Sequence, residues 1–270
     1  MICFPNAKVN LGLSILSKRP DGFHNLETVF YPLPFTDVLE MVEASSATSL
    51  HLTGLPVPGN PDENLVLRAW SILKKKTGLK GHADIHLHKA IPMGSGLGGG
   101  SSDAAFFLNG CNEFYGLHLT EKELADMAIL LGSDCPFFLR NRTCYATGRG
   151  EILEELDLDL SSFSFGIVDP GIHISTSWAF SRVQARSQKQ DLREIMRRPV
   201  SEWKNSLHND FERPVTGAHP QLRKIREDLY AAGAVYASLS GSGSAFYGIF
   251  PKGMNPVHQM PAGLLFHFIP

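Results

Sequence analysis

The segment from Pro92 to Ala105, PMGSGLGGGSSDAA, contains five glycines and three serines and runs into an alanine-rich stretch. Glycine lets the backbone approach a ligand closely, and successive amides at a helix N-terminus carry partial positive charge that attracts anions. An alternating run precedes the segment, with Ala83, Ile85 and Leu87 apolar, and predicts a strand. The order of strand, glycine loop and helix therefore predicts a cradle for phosphate groups and not a flexible linker.

This cradle has no lysine of its own, so it does not match the G-x-x-x-x-G-K-[ST] loop, and the dinucleotide pattern also fits poorly. Cationic help must come from elsewhere, and Lys8 and Lys89 are the candidates. Residues 7 to 15 alternate strictly and predict a half-buried strand. Alternation would place Lys8 and Asn10 on its polar face, where both could reach a ligand.

The elements that position these residues follow from local signals. The turn at residues 19–22, RPDG, and the strand expected over 23–31 complete a hairpin, with His24 just after the turn. Strands are predicted near 38–42 and 48–53, before a helix capped by Asp62 or Asn64 and ended by Gly78. A further helix should begin near residues 101–103.

Asp134 lies in a polar segment between two predicted elements. Thr120 and Glu123 form a capping box for a helix that should end at Gly132, and Ser133-Asp134-Cys135-Pro136 follows. Polar loops at helix ends often carry function, although an aspartate there can also cap a short helix.

Beyond residue 150 the pattern of elements restarts. A strand is expected over 163–168, helices near 176, near 191 and over 220–232, and then two strands around the glycine-serine loop at 240–244. We therefore predict two domains, 1–153 and 154–270.

Three motifs together resemble the GHMP family of small-molecule kinases. They are AKVNLGL in the first strand, the loop from Pro92 to Ser102, and SLSGSGSAF at 238–246. The resemblance implies an α+β enzyme with an N-terminal ATP-binding domain like domain 2 of ribosomal protein S5 and a C-terminal ferredoxin-like domain. It also implies an active site in the cleft between them.

The resemblance assigns roles residue by residue. Asp134 becomes the catalytic base and Lys8 its partner, with ATP and Mg²⁺ as co-substrate and cofactor and Ser102 as a candidate Mg²⁺ ligand. Asn64 and Lys89 are expected near the nucleotide. The ATP phosphates are expected on Pro92, Met93, Gly94, Ser95, Gly96, Leu97, Gly98, Gly99, Gly100, Ser101 and Ser102.

Within the family, RPDGFHNLETVF and PGIHISTSWAF resemble segments of members whose substrate carries a cytidine group. That implies an aromatic side chain stacked on cytosine, with Phe23 and Phe180 as candidates, and His24 reading the polar edge of the base. Asn10 is a further substrate candidate, and a second glycine loop, with Gly241, Ser242 and Gly243, is expected to close over the substrate phosphates.

Two alternatives remain open at this point. The first is another GHMP kinase acting on a mevalonate-type, homoserine or sugar substrate, without the cytidine-reading segment. The second is a non-catalytic nucleotide-binding module that keeps the cradle and has lost the reaction, against which the presence of both Lys8 and Asp134 argues.

Composition narrows the partners to small molecules. A net charge of −2 supplies no general field for nucleic acid or an anionic membrane, and no apolar run reaches the length of a membrane span. We expect a cytoplasmic protein with reduced cysteines; the oligomeric state is not indicated. His82, His86 and His88 have no nearby cysteine, so we interpret them as a solvated strand edge and not a zinc site.

Overall fold

The computed structural model describes residues 1–185, 191–260 and 265–270. The chain folds into two compact units. Unit 1 comprises Met1–Lys8, Pro32–Met93 and Gly98–Arg142, and unit 2 comprises Val9–Tyr31, Gly94–Leu97 and Thr143–Pro270. The first long strand and the glycine loop each pass from one unit to the other along the chain.

Unit 1 is built on a four-stranded sheet whose strands lie in the order β1 (Ile2–Cys3), β4 (Val38–Ala44), β6 (His82–Lys89) and β5 (Ser49–Gly54). Antiparallel pairing joins β4 to β6, and parallel pairing joins β5 to β6. One sheet face packs on the helices through apolar residues such as Leu39, Ile85 and Leu87, and Trp70 and Phe107 lie on the helix side of this core. The helices of this part of the chain are α1 (Leu65–Thr77), α2 (Gly99–Phe114), α3 (Glu121–Leu131) and α4 (Cys135–Arg140).

Unit 2 contains the greater part of a sheet with the strand order β2 (Asn6–Lys18), β3 (His24–Thr36), β7 (Cys144–Thr147) and β8 (Ile152–Glu155). It also contains an antiparallel sheet with the strand order β10 (Tyr236–Leu239), β11 (Phe246–Pro251), β9 (Phe163–Asp169) and β12 (Leu265–Ile269). Its core includes Leu13, Val168, Phe211, Leu229 and Phe246. The helices of this unit are α5 (Thr176–Arg182), α6 (Leu192–Met196), α7 (Glu212–Ala218) and α8 (Gln221–Ala231).

Several local predictions are confirmed. The Asn64 side chain caps α1 by accepting from the Val66 amide, and Gly78 ends that helix in the left-handed conformation, at φ 72°. Thr120 and Glu123 form the expected capping box of α3. None of the helices in the described part of the chain combines the length and apolar character needed to cross a bilayer.

Other predictions were wrong. Every residue of β2 from Asn6 to Ile15 is buried, so this strand is covered on both faces and is not half-buried. Strand β6 lies inside its sheet, between β4 and β5, and is not an edge. Helix α2 begins at Gly99, before the expected serines. Periodicity cannot reveal whether a strand is covered on both faces or lies inside its sheet, because both depend on which other segments pack against that strand.

Candidate active site

Lys8 and Asp134 form an ion pair in unit 1, with 3.4 Å between Lys8 Nζ and an Asp134 carboxylate oxygen. The Lys8 side chain is only 3% exposed, whereas that of Asp134 is 34% exposed. Burial lowers the pKa of Lys8, and the Asp134 charge and hydrogen bond oppose that shift. The pair therefore joins a buried cation to a carboxylate that solvent can reach.

Asp134 occupies the N-cap position of α4, yet its side chain makes no capping hydrogen bond. It is thus placed as a helix cap and directed elsewhere, toward Lys8. Because Pro136 lies in the first turn of α4, one of the amides that a cap would satisfy is already absent. Helix capping alone does not explain this aspartate.

Gly98 lies directly against Lys8 at the start of α2. It has a φ of 77°, and a methyl group on it would lie 2.8 Å from the Phe138 ring and 3.2 Å from Lys8 Cε. The glycine loop, the Lys8 stem and α4 therefore meet at a point that only glycine fits. Ser101 of the same loop lies near the 132–135 turn, because a methyl on Gly132 would be 3.7 Å from the Ser101 hydroxyl.

Ser102 is fully buried in the first turn of α2, and its hydroxyl has no hydrogen-bond partner within the described residues. A buried hydroxyl without a partner costs free energy unless a ligand supplies one. Oxygen donors of this kind suit Mg²⁺. The first turn of α2 therefore offers an oxygen that a bound ion or phosphate could use.

Lys89 lies in a different arrangement. Its Nζ contacts Asp37 and donates to Asp103 at 2.6 Å, and all three side chains are buried. Asp37 also accepts from the backbone amides of Ala90 and Ile91, at the entry to the glycine loop. A lysine held by two carboxylates has little positive charge to offer a phosphate.

Four residues predicted to bind ATP do lie around one pocket of unit 1, with a volume of about 190 Å³. These are Asn64, Lys89, Met93 and Gly100, and Asp103 also lines the pocket. Leu52, Val57 and Leu65 supply apolar wall. Because Asn64 already caps α1 with its side-chain oxygen, its amide group and backbone are what it can offer a ligand.

In unit 2 the two glycine loops touch. Ser240 Oγ donates to the Gly96 carbonyl at 2.9 Å, and the Ala245 amide donates to the Ser95 carbonyl at 3.0 Å. A methyl on Gly96 would lie 2.0 Å from the Ser240 carbonyl oxygen. The sequence predicted both loops, and the structure adds that glycine is required for them to meet.

Asn10 and Asn209 support the second loop. The Asn10 side-chain amide donates to Thr28 Oγ1 at 2.9 Å, and its carbonyl oxygen would lie 3.4 Å from a methyl on Gly241. Asn209, which the sequence analysis did not identify, donates to the carbonyls of Leu239 and Gly241 at 2.9 and 2.8 Å. In the sequence it is an ordinary asparagine two positions before Phe211, and its burial is visible only in the structure.

His24 and Phe180 are brought together, also in unit 2. Their rings stack with centroids 5.1 Å apart, and Phe211 meets the edge of Phe180. Burial, with a smaller effect from Lys18, lowers the pKa of His24, which favours the neutral ring. Phe23 is instead exposed, with the Arg149 guanidinium 4.7 Å above its ring. The His24 ring therefore already covers one face of Phe180, whereas Phe23 lies outside this stack and is exposed.

The remaining loop contacts involve the segment after β9. Ser242 Oγ lies 3.2 Å from Thr176 Oγ1, and the Ser244 hydroxyl donates to the Ile172 carbonyl. His173 Nδ1 would be 3.2 Å from a methyl on Gly94. The sequence analysis did not single out His173, although it follows a recognisable Asp-Pro-Gly turn.

Comparison with known proteins identifies the family of the chain. The family model for the N-terminal domain of GHMP kinases matches residues 64–142, and the model for their C-terminal domain matches residues 188–256. A 4-diphosphocytidyl-2-C-methyl-D-erythritol kinase of Parabacteroides distasonis is 49% identical over 96% of this chain and 93% of its own. One of the same name from Bacteroides thetaiotaomicron is 49% identical over 95% of this chain and 94% of its own.

Solved structures that resemble this chain include a kinase named for the same substrate. A crystal structure of 4-(cytidine 5'-diphospho)-2C-methyl-D-erythritol kinase, 34% identical, superimposes with a TM-score of 0.79 over 92% of this chain and 90% of its own. The mevalonate kinase of Methanococcus jannaschii, 14% identical, gives a TM-score of 0.72 over 99% of this chain and 97% of its own, which shows a shared fold only. The α+β, two-domain architecture is confirmed, and the chain belongs to the GHMP kinase family of small-molecule phosphotransferases, which use ATP as co-substrate.

Proposed function

We propose that this chain transfers the γ-phosphoryl group of ATP to the 2-hydroxyl of 4-diphosphocytidyl-2-C-methyl-D-erythritol, a step of the non-mevalonate route to isopentenyl diphosphate. The observation that carries the proposal is the Lys8–Asp134 pair beside Gly98, in a chain nearly half identical to kinases named for this substrate. Phosphoryl transfer depends mainly on positioning and on electrostatic stabilisation, which a pair of this kind can supply.

The proposed chemistry starts at Asp134. The acceptor is a tertiary alcohol, crowded and weakly acidic, so its proton must leave as the oxygen attacks phosphorus. Asp134 accepts that proton. The buried Lys8 ammonium stabilises the negative charge that develops on the transferring group.

The glycine loop holds the ATP phosphates through its amides and the N-terminus of α2. Ser102 Oγ would hold Mg²⁺, because its buried hydroxyl has no partner within the described residues. When bound, Mg²⁺ neutralises charge on the β- and γ-phosphates. We place the rest of the nucleotide in the pocket lined by Asn64, Lys89 and Met93.

For the other substrate, we propose that His24 reads the polar edge of cytosine. A neutral imidazole offers one donor and one acceptor, which matches the mixed edge of that base. Phe180 orients the His24 ring by stacking, and the exposed face of Phe23 is the better platform for the base. Asn10 and the loop of Gly241, Ser242 and Gly243 would bind the substrate phosphates.

We also propose that residues 1–153 bind ATP and that residues 154–270 bind most of the second substrate, as the sequence indicated. We propose that the enzyme is cytoplasmic. The relatives match 95–96% of this chain and so span both regions, which supports assigning both tasks to this one chain. Two substitutions in the full chain test this division by equilibrium dialysis. Met93→Ala, in the pocket proposed for ATP, should weaken only ATP binding, and Ser242→Ala should weaken only binding of the second substrate. Equal effects of either substitution on both ligands would contradict the division.

The test is coupled ADP release by the purified protein with Mg²⁺-ATP. The substrates to compare are 4-diphosphocytidyl-2-C-methyl-D-erythritol, its analogue without the cytidine group, mevalonate and homoserine. We expect turnover only with the cytidylated substrate and a new phosphomonoester in the ³¹P NMR spectrum. Turnover of mevalonate or homoserine would replace the proposed substrate, and ATP binding without turnover of any alcohol would indicate a non-catalytic module.

A further inference from the structure

The outward face of the unit 1 sheet carries a compact group of histidine and aspartate side chains. His51 Nε2 lies 3.0 Å from one carboxylate oxygen of Asp84, and His86 Nε2 lies 3.6 Å from the other. The two imidazole rings stack with centroids 4.6 Å apart. One ligand atom from each of the three residues lies within 4.8 Å of the other two.

Strand pairing explains why these residues meet. His51 is the direct cross-strand neighbour of His86 in the parallel pair of β5 and β6. Asp84 stands two residues before His86 on β6 and so projects from the same sheet face. That face is opposite to the one that Ile85 and Leu87 bury against the helices. The backbone therefore presents the three side chains together and toward solvent.

The spacing suits a single bound metal ion. Ligand atoms at about 2.0–2.2 Å from one ion lie about 3–4 Å from each other, so small side-chain rotations would bring all three into range. Two imidazoles and a carboxylate suit zinc, copper or nickel, whereas Mg²⁺ prefers oxygen ligands. His51 and His86 are each about half exposed, so water can complete the coordination sphere.

The carboxylate of Asp84 is also held in place. Ser49 Oγ donates to it at 2.5 Å from the neighbouring strand. Hydrogen bonds from a second layer of residues orient metal ligands and reduce the cost of fixing them on binding. Glu40 is the cross-strand neighbour of His86 on β4, on the other side, and brings a further carboxylate to the same face.

We propose that His51, Asp84 and His86 form a binding site for one late transition-metal ion, typified by Zn²⁺, separate from the Mg²⁺ of the phosphoryl transfer. The ion would connect β5 to β6. The Leu55 amide, one residue beyond the end of β5, donates to the Lys89 carbonyl at 2.8 Å, and Leu52 and Lys89 both line the pocket proposed for ATP. Metal binding therefore stabilises the wall of that pocket.

Equilibrium dialysis of the full chain against Zn²⁺, with millimolar Mg²⁺ present, tests the proposal. We expect one Zn²⁺ per chain, and at least about tenfold weaker binding in His51→Gln, His86→Gln and Asp84→Asn, since loss of a direct ligand costs no less than loss of a supporting residue. Saturating Zn²⁺ should raise the melting temperature by about 5 °C when Zn²⁺ is at about a hundred times Kd.

His88→Gln is the matched control. It removes a histidine from the same strand and face, one that pairs with Thr53 and lies outside the cluster. It should leave the Zn²⁺ affinity unchanged. Co²⁺ gives an independent readout through visible absorption bands that disappear with His51→Gln. No saturable Zn²⁺ binding, or binding that the three ligand variants leave intact, would overturn the proposal and reduce the cluster to an ordinary surface ion pair.

Discussion

Unit 1 contains two buried lysines that differ in what surrounds their charge. Lys89 is closed off with Asp37 and Asp103, and none of the three side chains is more than 3% exposed. Lys8 is equally buried, but its partner Asp134 keeps 34% of its side-chain surface. A closed ionic cluster can hold structure together, whereas a pair with one accessible carboxylate can also exchange a proton with a bound alcohol.

The Lys89 cluster and the Lys8 pair also differ in their contacts with the backbone. Asp37 accepts from two amides at the entry to the glycine loop, so the Lys89 cluster fixes where that loop begins. Asp134 makes no capping hydrogen bond. We infer that the Lys89 cluster is structural and that the Lys8 pair is chemical, and substitutions in and around the two clusters test that division.

The largest effect is expected from Asp134→Asn. The amide keeps the shape of the side chain and cannot take a proton, so we expect kcat to fall about 10³-fold, as for loss of a general base. The Kd for ATP should not change, which equilibrium dialysis would show. Asp126→Asn, an exposed aspartate on α3, is the control and should retain full activity. Wild-type turnover by Asp134→Asn would remove the base assignment.

The second prediction contrasts Lys89→Met with Lys8→Met in urea unfolding. Lys89→Met leaves two buried carboxylates without their cation and should cost about 3–5 kcal/mol of unfolding free energy. Lys8→Met leaves only the solvent-accessible Asp134, so we expect a loss below about 1 kcal/mol together with nearly complete loss of turnover. Equal destabilisation by the two substitutions would contradict the division between structural and chemical lysines.

The third prediction concerns Gly98, which packs on Lys8. Alanine there must adopt a φ of 77° and would collide with Phe138, so Lys8 must shift. We expect kcat to fall about 10- to 100-fold, the scale of an ångström-sized misplacement. Gly116→Ala is the matched control, with a φ of 57° and no atom within 4 Å of the added methyl. It should lose about 1–2 kcal/mol of stability from backbone strain and keep its activity.

The smallest expected effect is on how the free energy of unfolding depends on pH. Burial, which outweighs the nearby Lys89 charge, raises the pKa of Asp103 to about 7. The folded state therefore binds more protons than the unfolded state, and the contribution of Asp103 to stability falls as pH rises from about 4 to about 7. Asp103→Asn should gain about 1 kcal/mol relative to wild type between pH 6 and pH 7. Parallel urea-unfolding curves at both values for the two proteins would contradict this prediction.

The local elements of the chain could be predicted because their signals are local. The Asn64 cap, the Gly78 stop and the capping box of Thr120 and Glu123 depend on residues within a few positions of one another. The two glycine loops are equally visible in the sequence, since glycine is the residue that allows left-handed backbone conformations and close approach of the backbone. Lys8 and Asp134 needed the joint pattern of several motifs, because each alone resembles an ordinary surface residue.

By itself, then, the sequence determined which segments form the helices and most strands, the glycine cradle, and the family to which the chain belongs. Tertiary structure alone decided that Lys89 is enclosed by Asp37 and Asp103 and that Lys8 faces a carboxylate open to water. It also decided that Asn209 holds the second loop and that His51 joins Asp84 and His86. The reason is physical: burial and partner choice depend on residues distant along the chain, and only packing brings those residues together.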